Sequence, residues 1–165
     1  MACSPESFNR FSLTKEQQQN LYSHYSSGLL KPDALERKLE KEILEAIQEH
    51  GFDIVAIRKT VLNEEQVKAL WPPEYCVGFW ERLKEAYMEG PSIFFIAHSE
   101  FDTIRKLTDL VGYHEPTIAE SHTLRHQFGE TILRNVIHST SNEQTFWREV
   151  NSCGQLSIKL DTYSH

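Results

Sequence analysis

The sequence predicts an α+β domain: a four-stranded sheet, antiparallel or mixed, covered by helices in a split β-α-β order. Three observations lead there. Strand-like and helix-like segments alternate as β, α, β, two short helices, β, α, a long loop, β, α. In LERKLEKEILEAIQEHG (35–51), Leu35, Leu39, Ile43 and Ile47 recur at four-residue steps with Glu and Lys between them, a helical period. SIFFIAH (92–98) is nearly all apolar, as a strand buried on both faces should be.

Each element has a local reason. Residues 1–24 are polar and read as an N-terminal extension, with a short helix from Ser12 onward; residues 25–165 read as one domain. SSGLLKPD is a short strand that Pro32 ends, because proline cannot continue a ladder. The helix at 35–51 follows, and Gly51 stands where a helix C-terminus favours a left-handed residue. FDIVAIRKTV alternates and is rich in β-branched residues, hence a strand. NEEQVKALW opens with Asn63 and has Gln66 three residues later, the capping-box spacing. VGFWERLKEAYMEG is amphipathic and closes at Gly90 and Pro91. After SIFFIAH, EFDTIRKLTDLVG is helical to Gly112. No period is evident from Tyr113 to Phe128, so this stretch reads as a loop. RNVIH supplies the last strand, and NEQTFWREV the last helix, capped by Asn142.

Bulk composition narrows the function. The 165 residues are 39% hydrophobic and 25% charged, enough to bury a core in one domain. A net charge of −7 argues against nucleic acid or an anionic membrane as partner, because both need a clustered positive field. Any phosphate site must be local, built from a few placed cations. Cys3, Cys76 and Cys153 are scattered without CxxC spacing and fit reduced thiols of a cytoplasmic protein. The N-terminus has no signal-peptide core, and no apolar run reaches the roughly 18 residues that a membrane span requires.

Chemistry concentrates at strand ends and in the irregular loop. LRNVIHSTSN carries a titratable ring, His138, directly after two β-branched residues and before four small polar ones. Lys31, Arg125 and Asn135 occupy comparable positions, which can converge on one mouth of a sheet. The order LLKPDAL, HGFDIVAIRKTVLNEEQVKALW, EGPSIFFIA and LRNVIHSTSNEQTFWREV resembles the nucleoside diphosphate kinase family. The similarity runs from about Ser26 to Val150, with one inserted residue between Pro91 and Thr123. It is strongest at KPD (31–33), GP (90–91) and RNVIH followed by the small polar run.

The resemblance implies a ferredoxin-like four-stranded sheet and phosphoryl transfer through a phosphohistidine. On it, His138 is the nucleophile, Glu149 the carboxylate that orients the ring, and Thr140 the hydroxyl that supports that carboxylate. Lys31 and Arg125 match phosphate-binding cations, and Asn135 a sugar-hydroxyl ligand. Phe79 and Ile132 match an aromatic–aliphatic sandwich for the base. The implied partners are ATP and other nucleoside di- and triphosphates, with Mg2+ carried on their phosphates, and a homo-oligomeric assembly of the chain.

Several positions depart from the family pattern. Thr108 stands where the family has a second phosphate-binding arginine, and His114 replaces a hydroxyl residue that contacts phosphate. Trp71 replaces a tyrosine, Ser139 a glycine, Ser141 an acidic residue and Leu133 a glycine. These departures define the alternative function: a catalytically weak or inactive relative that binds nucleotides or proteins. His114, His122 and His126 suggest a metal cluster, since the last two share an i, i+4 spacing. The segment lacks a helical stripe and an HExxH acid, so no protein-held metal is expected.

Overall fold

The computed structural model describes residues 2–3, 14–154 and 158–159. The two-residue strands β1 (Ala2–Cys3) and β6 (Ile158–Lys159) pair antiparallel with each other. The rest of the predicted N-terminal extension before Thr14 lies outside the described residues. Its described part is helix α1 (Lys15–His24), opened by a capping box between Thr14 and Gln17. Leu21 of α1 is buried in the main core, so this helix is packed on the domain.

The central sheet has four strands: β2 (Tyr25–Leu30), β3 (Asp53–Thr60), β4 (Ser92–His98) and β5 (Ile137–Ser139). Their order is β3-β4-β2-β5, and every neighbouring pair is antiparallel. That is the ferredoxin-like arrangement. β4 is buried throughout, as its apolar run predicts. Its residues alternate between two cores, with Phe94 and Ile96 on one face and Ile93, Phe95 and Ala97 on the other. Helices therefore cover both faces.

Gly28 marks where β2 runs tightest between its neighbours. A Cβ there would lie 2.5 Å from the Phe95 ring and 2.9 Å from the His138 carbonyl oxygen. Only glycine lets β2 lie against both the core phenylalanine and the strand that carries His138.

The predicted helix at 35–51 is corrected by the structure: it is two helices, α2 (Pro32–Glu36) and α3 (Glu40–Glu49). The break is a Schellman motif. Lys38 adopts φ 58°, its N–H donates to Leu35, and the Leu39 N–H donates to Ala34. Lysine sits where glycine is usual, so the apolar spacing runs on through a geometric break. Ile43 and Ile47 are fully buried on α3, which ends at Gly51 with φ 89°.

The other helices follow expectation closely. Asn63 and Gln66 form the capping box of α4 (Glu64–Leu70), each hydrogen bond 2.9 Å long. α5 (Trp80–Met88) and α6 (Thr103–Val111) precede and follow β4. The stretch read as loop contains a 3-10 turn at Pro116–Ile118 and a short helix, α7 (Leu124–Phe128), capped by Thr123. α8 (Glu143–Glu149) starts at Asn142 as predicted and continues into π-helical Val150–Gly154. No helix among the described residues is long and apolar enough to cross a membrane.

Candidate active site

β2 ends at Leu30, and the KPD motif follows at once. Pro32 is the first residue of α2, where its missing N–H costs nothing. Lys31 and Asp33 then bracket one residue of the facing segment. The Lys31 N–H donates to the Val136 carbonyl at 2.8 Å, and Asp33 Oδ2 accepts the Val136 N–H at 3.0 Å. Val136 has φ 65°, and the Ile137 N–H donates to the Asn135 carbonyl across it at 2.8 Å. This is a γ-turn with a β-branched residue at its centre, a strained conformation held by its surroundings. It sets the direction in which β5 leaves with His138.

His138 pairs with Leu29 across β2–β5, and the residue is 6% exposed. Its Nε2 lies 2.8 Å from Oε1 of Glu149, which is 1% exposed. A carboxylate only accepts, so Nε2 carries the proton and Nδ1 keeps its lone pair. The Trp71 ring lies edge-on to the imidazole, with centroids 5.8 Å apart. The imidazole lines a cleft of about 1110 Å3 together with Thr108, His114, Arg125 and Ser139.

Thr140 does not support Glu149 here, which corrects the role expected from the resemblance. Its hydroxyl lies 2.6 Å from that of Thr145. The Thr145 oxygen also accepts the Ser141 and Asn142 N–H groups, so both hydroxyls belong to the cap of α8. Glu149 Oε2 is left buried without a hydrogen-bond partner among the described residues. The cause is local: Thr145, at the third position of α8, draws the Thr140 hydroxyl into the helix cap.

The cations are built in tightly. Lys31 Nζ donates to the Leu133 carbonyl and to Asn135 Oδ1, both at 2.8 Å, and lies 4.7 Å from the Tyr87 ring centre. Burial pulls its ammonium down to about 7, with Asp33 opposing that shift. Arg125 sends Nε and Nη2 to the Ile137 carbonyl and Nη1 to that of Gly112. Burial lowers its pKa as well. Three of its five N–H donors are committed to backbone, so two stay available at the cleft.

Asn135 is held from both ends. Its Nδ2 donates to the His114 and Ile132 carbonyls while Oδ1 accepts Lys31, so only a second lone pair on Oδ1 is spare. Phe79 and Ile132 are 37% and 44% exposed. Both line a smaller cleft of about 230 Å3 that also contains Lys31, Trp71, Tyr87, His114 and Asn135. The structure thus brings together His138, Glu149, Lys31, Arg125, Asn135, Phe79, Ile132, Thr108 and His114. Thr108 donates its hydroxyl to the Thr140 carbonyl at 3.2 Å and brings no charge. His114 is half-buried, lines both clefts, and packs against Tyr113 with ring centres 4.1 Å apart.

His122 and His126 do not share a helix, because α7 begins after His122. Among the described residues no group of three His, Cys, Asp or Glu side chains is placed to hold a metal. Two contributors were not singled out from the sequence. Asp33 lay inside the KPD motif, where a turn role hid its long-range bond to Val136. Tyr87 gave no signal beyond an apolar position on α5.

A family model described as nucleoside diphosphate kinase matches residues 24–153. The nucleoside diphosphate kinase of Persephonella marina is 31% identical over 117 residues, covering 71% of this chain and 83% of that protein. The one from Methanocaldococcus jannaschii is 31% identical over 121 residues, covering 73% and 86%. Among solved structures, the nucleoside diphosphate kinase of Encephalitozoon cuniculi matches with TM-score 0.77 at 20% identity, covering 82% of this chain and 92% of that one. That of Aquifex aeolicus gives 0.70 at 22% identity, covering 77% and 92%. At these identities the structural likeness speaks for the fold alone.

Proposed function

The chain belongs to the nucleoside diphosphate kinase family, and from that premise we propose that it transfers the terminal phosphate of a nucleoside triphosphate to a nucleoside diphosphate through a phosphohistidine on His138. The observation that carries this reading is the buried His138–Glu149 pair, with Nε2 tied to the carboxylate and Nδ1 left for attack.

The Nδ1 lone pair attacks the γ-phosphorus as the bond to the bridging oxygen breaks, and the nucleoside diphosphate leaves with that oxygen. The imidazole gains positive charge as the bond forms, and Glu149 stabilises it through the Nε2–H. In the second half-reaction a terminal oxygen of the acceptor diphosphate attacks the same phosphorus and restores the neutral ring. Phosphoryl transfer leaves the rest of the site with positioning and charge neutralisation. Lys31 and the two spare Arg125 donors take the phosphates, and the spare lone pair of Asn135 Oδ1 takes a sugar hydroxyl. Phe79 and Ile132 hold the base by its faces, which every base possesses, so several bases are accepted. Thr108 and His114 border the phosphate path, and Thr140 fixes the turn after the nucleophile.

Magnesium enters with the substrate, as the nucleotide's complex. This ion keeps several waters and uses substrate phosphates with one or two carboxylates. The exposed carboxylates of Asp109 and Glu120 line the same cleft and are compatible with that role. Buried free Cys76 and Cys153 support a reducing, cytoplasmic setting, and burial pushes the Cys153 thiol up to about 12. A homo-oligomer is supported by the edge position of β3, where Ile57 is half exposed.

The reading is tested by steady-state transfer from GTP to ADP and to a pyrimidine diphosphate. Parallel double-reciprocal lines are expected with both acceptors. Binding of both nucleotides without transfer would make the chain a non-catalytic relative, the reading that the uncharged Thr108 favours.

A further inference from the structure

His138 is fixed at one point by its hydrogen bond to Glu149. One such bond leaves an imidazole free to pivot about the bond axis, and the side chain's second torsion is intrinsically soft. Pivoting would sweep the Nδ1 lone pair away from an in-line approach. A second contact removes this freedom: the Trp71 ring, 5.8 Å from the imidazole centre at an interplanar angle of 65°.

Trp71 is itself anchored. It caps the C-terminus of α4 through its backbone N–H, which donates to Val67 at 2.8 Å. Its indole N–H donates to the Tyr87 hydroxyl at 2.9 Å. An indole has no other donor, so Trp71 has none to give a phosphate. Tyr87 is buried, and its ring underlies the Lys31 ammonium. One connected frame therefore holds both the nucleophile's ring and a phosphate-side cation.

We propose that Trp71 is a positioning residue for phosphoryl transfer, locking the plane of the His138 ring from a seat on Tyr87 without donating a hydrogen bond to the substrate. This rests on His138 being the nucleophile of the kinase reading. It gives the tyrosine-to-tryptophan departure a purpose, exchanging a residue that could reach a ligand for a wall beside the nucleophile.

The test combines ring dynamics with single-turnover kinetics in wild type, Trp71→Phe and Trp71→Leu. Nitrogen-15 relaxation of the His138 ring should show a rigid ring in wild type and Trp71→Phe, and a mobile one in Trp71→Leu. At saturating MgATP, Trp71→Leu should form phosphoenzyme about tenfold more slowly or worse, since small misplacements near the chemistry cost that much. Its Kd for MgATP should stay within about twofold, and Trp71→Phe should recover most of the rate. A ring as rigid in Trp71→Leu as in wild type overturns the proposal, whether or not the protein is phosphorylated. Weakened MgATP binding at an unchanged phosphorylation rate also overturns it, by making Trp71 a substrate contact. A mobile ring in Trp71→Leu beside an unphosphorylated wild type supports the contact and sinks the kinase reading alone. If Trp71→Leu does not fold, Tyr87→Phe applies the same criteria, because it removes the indole's anchor.

Discussion

Asp33 Oδ2 accepts the backbone N–H of Val136 at 3.0 Å, while the N–H of Lys31 donates to the Val136 carbonyl. Residues 31–33 thus hold in place a strained valine that lies two positions before His138. The motif is usually legible as a turn; its use here is to clamp the segment that leads to His138. Asp33→Ala would leave the Val136 N–H buried without an acceptor, costing about 1–3 kcal/mol. Denaturant unfolding should show that loss, and phosphorylation of His138 should slow in the folded fraction. An unchanged midpoint and rate would mean the γ-turn holds itself.

Lys31 predicts a proton linkage. With its ammonium at about 7 because of burial, the folded protein holds Lys31 largely neutral at pH 8, while the unfolded chain keeps it protonated to about 10.5. Between those values the unfolded state binds the extra proton, so this group makes stability rise with pH; below about 7 its charging cost is fully present. A neutral amine satisfies the two acceptors that Lys31 already has, and a third N–H becomes useful when a phosphate arrives. MgATP binding at pH 8 should therefore take up close to one proton, measured by calorimetry in buffers of different ionisation enthalpy. Lys31→Gln should abolish the uptake; equal uptake in that variant would place the linkage elsewhere.

Thr108 predicts a gain of function. Among the described residues its hydroxyl reaches only the Thr140 carbonyl, and the residue lines the cleft that contains His138. Thr108→Arg should raise phosphotransfer about tenfold or more, from ~1.5–3 kcal/mol of charged hydrogen bonding. Arginine is also the better helix former, so α6 should tolerate it. Unchanged activity in a folded variant would show that this position does not meet the phosphates.

Gly112 couples fold to site through Arg125. It ends α6 at φ 90° and ψ −177°, a region open essentially to glycine alone, and a Cβ there would lie 2.4 Å from Thr123 Cβ. Its carbonyl accepts from Arg125 Nη1. Gly112→Ala should cost about 2 kcal/mol or more and should weaken triphosphate binding more than nucleoside binding. Equal losses for ATP and adenosine would show that Arg125 does not depend on this carbonyl.

The sheet was legible because its strands carry their own patterns: β4 as an unbroken apolar run, β3 as an alternating one. The caps at Asn63, Gly51 and Asn142 were legible because their chemistry is local. What escaped was decided by tertiary contact. The break at Lys38 lacks the glycine that signals it, and the apolar spacing of Leu35, Leu39, Ile43 and Ile47 continues across it. α7 is five residues long, too short for a period, and is held by Thr123 and by Arg125 reaching distant carbonyls. In the site, Lys31, Arg125, Asn135 and His138 converge as strand ends and loop positions should. The Thr140 hydroxyl went to Thr145 instead of Glu149, since a helix cap one turn away competes for the same hydroxyl.

Incubation with γ-labelled ATP and magnesium tests whether His138 Nδ1 accepts the phosphate. Wild type should acquire acid-labile, base-stable label that peptide mapping places on His138, and ADP should discharge it as ATP. His138→Ala should remain unlabelled while binding MgATP nearly as well, because only the attacking group is gone. Full labelling of His138→Ala, label on His114, or a wild type that binds MgATP and stays unlabelled would contradict the assignment.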